Sequence, residues 1–236
     1  GGPAEKVGIL AGDRIVMADT SLLVGIKDTE VMKRLKGPKD STVKLGIKRH
    51  GSDKLTWFTV VRGDIPVQSI DAAYMINENT GYIQINKFGE QTYAEMLVSL
   101  ADLAMKGMRS IIIDLRGNTG GYMHIAIQMA NEFLTRNSLI VYTEGRSIPR
   151  EEYRSDGKGS FQQLPIVVLV DEGSASSSEI FAGAIQDNDR GTLYGRRSFG
   201  KGLVQEPVNF SDGSGIRLTV ARFYTPSGRC IQKPYS

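Results

Sequence analysis

Apolar positions in the first sixty residues change period several times. Residues 4–8 predict a short helix, Gly12-Asp13 a turn, and Arg14–Ala18 a strand with apolar residues at its centre. Asp28–Leu35 repeats its apolar residues at helical spacing and is closed by Lys36-Gly-Pro38. Thr42–Lys48 alternates polar and apolar residues, turns at His50-Gly51-Ser-Asp53 and returns over 55–61, a hairpin with one buried face. After residue 63 the pattern becomes an alternation of strands (81–88, 110–115, 139–143, 166–170, 191–194) with helices (92–106, 122–135, 176–186). This order implies a layered α/β domain, with Ile111-Ile-Ile113 and Ile166-Val-Val-Leu-Val170 as central strands covered on both faces. Arg62-Gly-Asp-Ile-Pro66 breaks the pattern and divides the chain into domains of residues 1–62 and 63–236.

Composition narrows the class. Of 236 residues, 40% are hydrophobic and 23% charged, which excludes a disordered or fibrous chain. The net charge of +3 comes without a long block of one sign, so no nucleic-acid partner is expected. The longest apolar run, Leu164-Pro-Ile-Val-Val-Leu-Val170, is far too short to cross a bilayer, and no transmembrane segment is expected. The abrupt opening Gly1-Gly-Pro-Ala reads as a chain whose upstream sequence is missing. Cys230 is the single cysteine, so no internal disulfide forms and the compartment is unreadable from cysteine usage. Two histidines and scattered carboxylates such as Asp187 and Asp189 make no metal-ligand spacing, so neither metal nor cofactor is expected.

Three segments carry candidate chemistry. Ser176, in Gly173-Ser-Ala-Ser-Ser-Ser178, lies where a buried strand gives way to a helix, and free N–H groups at a helix start favour developing negative charge. Helix capping is the competing role, because Ser174, Ser176, Ser177 and Ser178 are all good N-cap residues. Asp114-Leu-Arg-Gly-Asn-Thr-Gly-Gly121 ends another apolar strand, and its glycines let backbone N–H groups approach a bound oxyanion. It lacks the glycine spacing of phosphate-binding loops; tight turn packing remains its plain alternative. Lys201, in Phe199-Gly-Lys-Gly202, serves as a base near neutral pH only if burial lowers its pKa by about 3 units, worth roughly 4 kcal/mol. A surface lysine is its plain role.

Residues 1–16, Gly-Gly-Pro-Ala-Glu-Lys-Val-Gly-Ile-Leu-Ala-Gly-Asp-Arg-Ile-Val, with the helix and hairpin that follow, resemble the later two-thirds of a bacterial PDZ domain. The segments 114–121, 173–187 and 195–205 resemble, in order and spacing, the C-terminal processing peptidases, or tail-specific proteases. Tyr224-Thr-Pro-Ser-Gly-Arg229 is similar to a family segment near the end of the catalytic domain. The resemblance implies a crotonase/ClpP-like layered protease domain preceded by a partial PDZ-like domain. It implies Ser176 as nucleophile, Lys201 as general base and Gln205 as the side chain that positions the lysine. Gly120 or Gly121, with the backbone N–H of Ser177, is implied as the oxyanion hole. The family usually has alanine at 177 and often proline at 119, but a backbone donor survives either change.

Substrates are then proteins or unfolded polypeptides recognised at their C-termini and cut nearby. The PDZ carboxylate loop would lie upstream of Gly1, so substrate-binding residues are unknown, and oligomeric state stays open. The family suggests a periplasmic or envelope setting. A straight strand of four residues spans about 13 Å, so Gln205 reaches Lys201 only if the chain bends near Gly202; otherwise it lies in an outer layer of the site. Two rivals remain: a catalytically silent PDZ-type peptide-binding scaffold, and a hydrolase based on His124, the only histidine placed to approach Ser176. His50 is read as a solvated turn residue, Arg196-Arg197 as a solvated turn and Trp57 as core.

Overall fold

A computed structural model describes residues 2–65 and 68–234; Gly1 of the opening and Pro66 of the boundary turn lie outside the described residues. The chain forms two compact units, Gly1–Val67 and Gln68–Ser236.

The first unit runs α1 (Pro3–Lys6), β1 (Arg14–Ala18), β2 (Ser21–Leu22), α2 (Asp28–Leu35), β3 (Thr42–Lys48) and β4 (Thr56–Val61). Its sheet has the order β2-β1-β3-β4, antiparallel throughout. Alternation along β3 places Val43, Leu45 and Ile47 inward, where Val31 and Leu35 of α2 pack on them. Trp57 departs from the core placement expected of it. It is 44% exposed, with the Lys44 ammonium 5.2 Å from the ring centre, because its strand partner Gly46 offers no side chain to bury it.

In the second unit the order is β5 (Ile70–Met75), β6 (Thr80–Ile85), α3 (Thr92–Met105), β7 (Ser110–Asp114), α4 (Met123–Asn131), β8 (Leu139–Glu144), β9 (Glu151–Arg154), β10 (Ile166–Val170), α5 (Ser177–Asp187), β11 (Thr192–Gly195), β12 (Leu203–Asn209) and β13 (Gly215–Tyr224). One sheet has the order β11-β10-β7-β6-β5, parallel except for β5; a second, antiparallel sheet has the order β12-β13-β8-β9. Helix α5 packs on α4 and touches both β11 and β8, so it lies between the two sheets. Residues Ser177 to Ile185 are accordingly all buried, as expected of a helix enclosed on every side.

Burial of the two central strands departs from the expected two-sided cover. In β7 and β10 it alternates: Ile111, Ile113, Ile166 and Val168 are buried against the helices, while Ile112, Val167 and Leu169 on the opposite face are only partly covered. Apolar residues on both faces thus reflect one packed layer and one half-open layer. Helix α4 stops at Asn131, short of the expected 135, because Phe133 and Leu134 continue the apolar period from a turn that is itself in the core.

Phe181 is 0% exposed and meets Phe133 edge to face at 6.1 Å. Phe181→Ala is expected to lower the unfolding free energy of this unit by about 3–5 kcal/mol in urea denaturation; a loss below about 1 kcal/mol would contradict its central place.

Candidate active site

The first turn of the site leaves β7 and enters α4. Asp114, 1% exposed, accepts hydrogen bonds from the Tyr82 hydroxyl at 2.6 Å and from Arg116 Nη2 at 2.7 Å. Burial alone would raise the Asp114 carboxyl, but the bonds from Arg116 and Tyr82 outweigh it and hold the group below its ordinary range. Burial, with the facing Asp114 carboxylate, pushes the Tyr82 phenol up to about 12. Buried Asn118 then shapes the turn, donating from Nδ2 to the Ile85 carbonyl and accepting the Gly120 N–H at Oδ1. The strand-like contact of Phe88 N–H with Gly120 O, and of Tyr122 N–H with Phe88 O, zips the turn down. Gly121 has φ +150°, and a Cβ there would lie 2.2 Å from Phe88 O, so only glycine fits.

The second turn leaves β10 and enters α5, and serine hydroxyls stitch it to the first. Ser174 Oγ donates to Leu115 O at 2.7 Å, Ser177 Oγ to Gly121 O at 2.9 Å and Ser178 Oγ to Asn118 O at 2.9 Å. Asp171 Oδ1 accepts the N–H groups of Gly117 and Gly173. The Ser176 hydroxyl takes no part in this seam. Ser176 is partly exposed at the N-cap, with φ 57° and ψ −115°, a left-handed conformation uncommon for a residue with a Cβ. Gly120 lies bare against it: a Cβ on Gly120 would be 2.8 Å from that of Ser176. Around Ser176 the Gly120 N–H is taken by Asn118, whereas the N–H groups of Ser177 and Gly121 have no intramolecular acceptor among the described residues.

Lys201 lies between β11 and β12. Its backbone N–H donates to Glu179 Oε2 at 2.9 Å, and the Ser176 N–H donates to the same oxygen at 2.8 Å. Glu179 Oε1 accepts the Ser198 hydroxyl and the Gly200 N–H, each at 2.7 Å. On the far side the lysine segment rests on residues 231–233, through Lys233 N–H to Gly200 O and Gly202 N–H to Gln232 Oε1. Asp187, at the end of α5, secures the turn that feeds this segment by accepting from Ser227 and pairing with Arg229.

The structure therefore brings the backbones of Ser176 and Lys201 to one atom and sets Gly120 and Ser177 beside the serine, with Gly121 bonded to Ser177. The Lys201 side chain is exposed, so the burial demanded of a neutral lysine is absent from this conformation. Gln205 is exposed on β12 opposite Thr219, and no hydrogen bond joins it to Lys201 among the described residues. The bend falls between Val204 and Gln205, where the β12–β13 register shifts. His124 faces Glu90, with Nε2 3.5 Å from its carboxylate, and stacks obliquely beside Tyr122, which gives the histidine-based rival no support. Glu179 was missed in the sequence, although its spacing from Ser176 is that of a capping box.

A serine in left-handed backbone where a parallel strand meets a buried helix, opposite a glycine turn, marks a layered α/β protein with a strained strand-to-helix turn. A model of peptidase family S41 matches residues 79–235, and the chain belongs to that family. The carboxyl-terminal-processing protease of Synechocystis is 37% identical over 236 residues, covering 99% of this chain and 55% of its own length. The carboxy-terminal processing protease CtpA of Bacillus subtilis is 36% identical over 233 residues, covering 99% of this chain and 49% of its own. The chain spans about half the length of the curated relatives it matches. Among solved structures, the photosystem II D1 C-terminal processing protease is similar with a TM-score of 0.64 at 32% identity, covering 97% of this chain and 62% of that one. No helix among the described residues is long and apolar enough to cross a membrane.

Asp187 gives a pH test of the buttress. Burial would raise its carboxyl, but hydrogen bonds from Ser227 and Thr225, with the charge of Arg229, leave it below the ordinary value. A carboxyl depressed in the folded state stabilises it fully above the unfolded pKa, about 3.9, and less as pH falls through the folded one. Asp187→Asn is thus expected to be less stable than wild type by a constant margin above about pH 5, with the gap closing below about pH 4, measured as melting temperature against pH. A gap that does not narrow as pH falls below about 4 would refute the assignment.

Proposed function

We propose that this chain carries the catalytic unit of a serine endopeptidase that cleaves proteins or unfolded polypeptides near their C-termini. The observation that carries the reading is the meeting of Ser176 and Lys201 on one carboxylate oxygen, beside two backbone N–H groups with no acceptor. In this mechanism neutral Lys201 takes the Ser176 proton as Oγ attacks the scissile carbonyl. The N–H groups of Ser177 and Gly121 receive the oxyanion, and loss of one such donor typically costs about 3–4 kcal/mol of transition-state stabilisation. Lys201 then gives that proton to the leaving amine; in the second half the neutral Lys201 amine takes a proton from water as it attacks the acyl ester, and passes it to Ser176 Oγ as the ester bond breaks and the acid leaves. Gln205 is assigned to positioning the lysine once β12 is engaged.

Lys201 is exposed here, and a polypeptide laid over the site supplies the missing step: excluding water from the amine disfavours its charged form. Residues 1–62 act as a partial PDZ-like peptide-binding domain and residues 63–236 as the peptidase domain. The similarity to carboxyl-terminal-processing proteases supports this substrate class. We assign the protein to the periplasm or cell envelope, an assignment that rests on the family resemblance alone. No metal or cofactor enters the mechanism.

The silent-scaffold reading draws on the same exposed lysine. Turnover of unfolded casein separates the two. Wild type is expected to cleave, with Ser176→Ala and Lys201→Ala each losing more than about a thousandfold in kcat. Activity within tenfold of wild type in either variant would sink the dyad, and peptide binding without hydrolysis by wild type would favour the scaffold.

A further inference from the structure

We infer that Glu179 is a positioning residue that fixes nucleophile and base relative to each other, an inference that rests on the reading of Ser176 and Lys201 as the reacting pair. An N-cap role needs only one of the four bonds its carboxylate accepts, that from the Ser176 N–H. The other three come from the Ser198 hydroxyl and the N–H groups of Gly200 and Lys201, all in the segment that carries the base. One carboxylate therefore joins two loops 25 residues apart in sequence, and one of its oxygens is common to both reacting residues.

Burial makes this junction obligatory. Glu179 is 7% exposed, and a buried carboxylate is tolerated only when hydrogen-bonded. Its four donors match the roughly four lone-pair sites of an ionised carboxylate. Displacing the 198–201 segment would remove three of those donors together, so the buried charge holds the segment in place. Helix α5, enclosed between two sheets, supplies a rigid mount for the junction.

The filled acceptor sites have a second consequence. With its lone pairs committed to three backbone N–H groups and a hydroxyl, Glu179 is not left to pair with the Lys201 ammonium. An ion pair there would favour the charged lysine and spoil the base. Glu179 thus orients the lysine backbone while leaving its amine unpaired with this carboxylate.

Glu179→Gln tests this, since an amide nitrogen cannot accept and one pair of donors loses its partner. In the wild-type background, kcat on a peptide substrate is expected to fall about a hundredfold, the loss typical of a 1 Å misplacement, with KM changed less than threefold. The rate of Ser176 labelling by a fluorophosphonate is expected to fall in parallel. In a Lys201→Ala background the same substitution should change labelling less than twofold, because there is no base left to misplace. An unchanged kcat, or an equal loss in both backgrounds, would overturn the inference. Should Glu179→Gln fail to fold, Ser198→Ala removes one donor at little structural cost and is expected to lower kcat about five- to tenfold with KM unchanged; a wild-type kcat there overturns the inference as well. Wild type that neither cleaves nor labels refutes the serine–lysine reading itself, and this inference with it, whereas active wild type beside a fully active Glu179→Gln refutes the inference alone.

Discussion

A helix whose first turn is buried must find protein partners for polar groups that would elsewhere bond to water, and α5 is such a helix. Its opening residues lie at most a few per cent exposed, between two sheets. Each serine hydroxyl driven inward there finds a carbonyl of the glycine turn, and the Ser176 N–H finds a carboxylate. Among the described residues no buried side-chain nitrogen or oxygen is left unpaired. Against that background, the N–H groups of Ser177 and Gly121 take no acceptor among the described residues. Site and scaffold are two results of the same packing.

What could be read from the sequence follows burial. Strands β7 and β10 and helix α5 were legible because their residues are held by the core, and core positions impose a period. Strands β5, β9, β12 and β13 escaped: Glu-Glu-Tyr-Arg on β9 and the largely exposed β12 lie at sheet edges, where neither face demands alternation. Trp57 misled for a related reason, since its residue type favours burial while its ring lies at the surface over Gly46 and beside Lys44.

The candidate site was legible where identity and spacing suffice, as for Ser176, Lys201 and the glycines. It was not legible where a role depends on tertiary contact. Glu179 looks like one more capping acid until the loop from β11 folds onto it. The solvation of Lys201 is likewise a property of neighbours and of conformation, which a single residue in a row of glycines does not report.

The stitched serines also bear on how the nucleophile can be recognised at the bench. Three of the four hydroxyls in the run hold one turn to the other, so alanine at Ser174 or Ser178 also loosens the cradle, whereas alanine at Ser177 keeps the backbone donor. An alanine scan across this run would therefore implicate more serines than the one that reacts. Covalent trapping followed by peptide mapping reports instead which oxygen forms the bond.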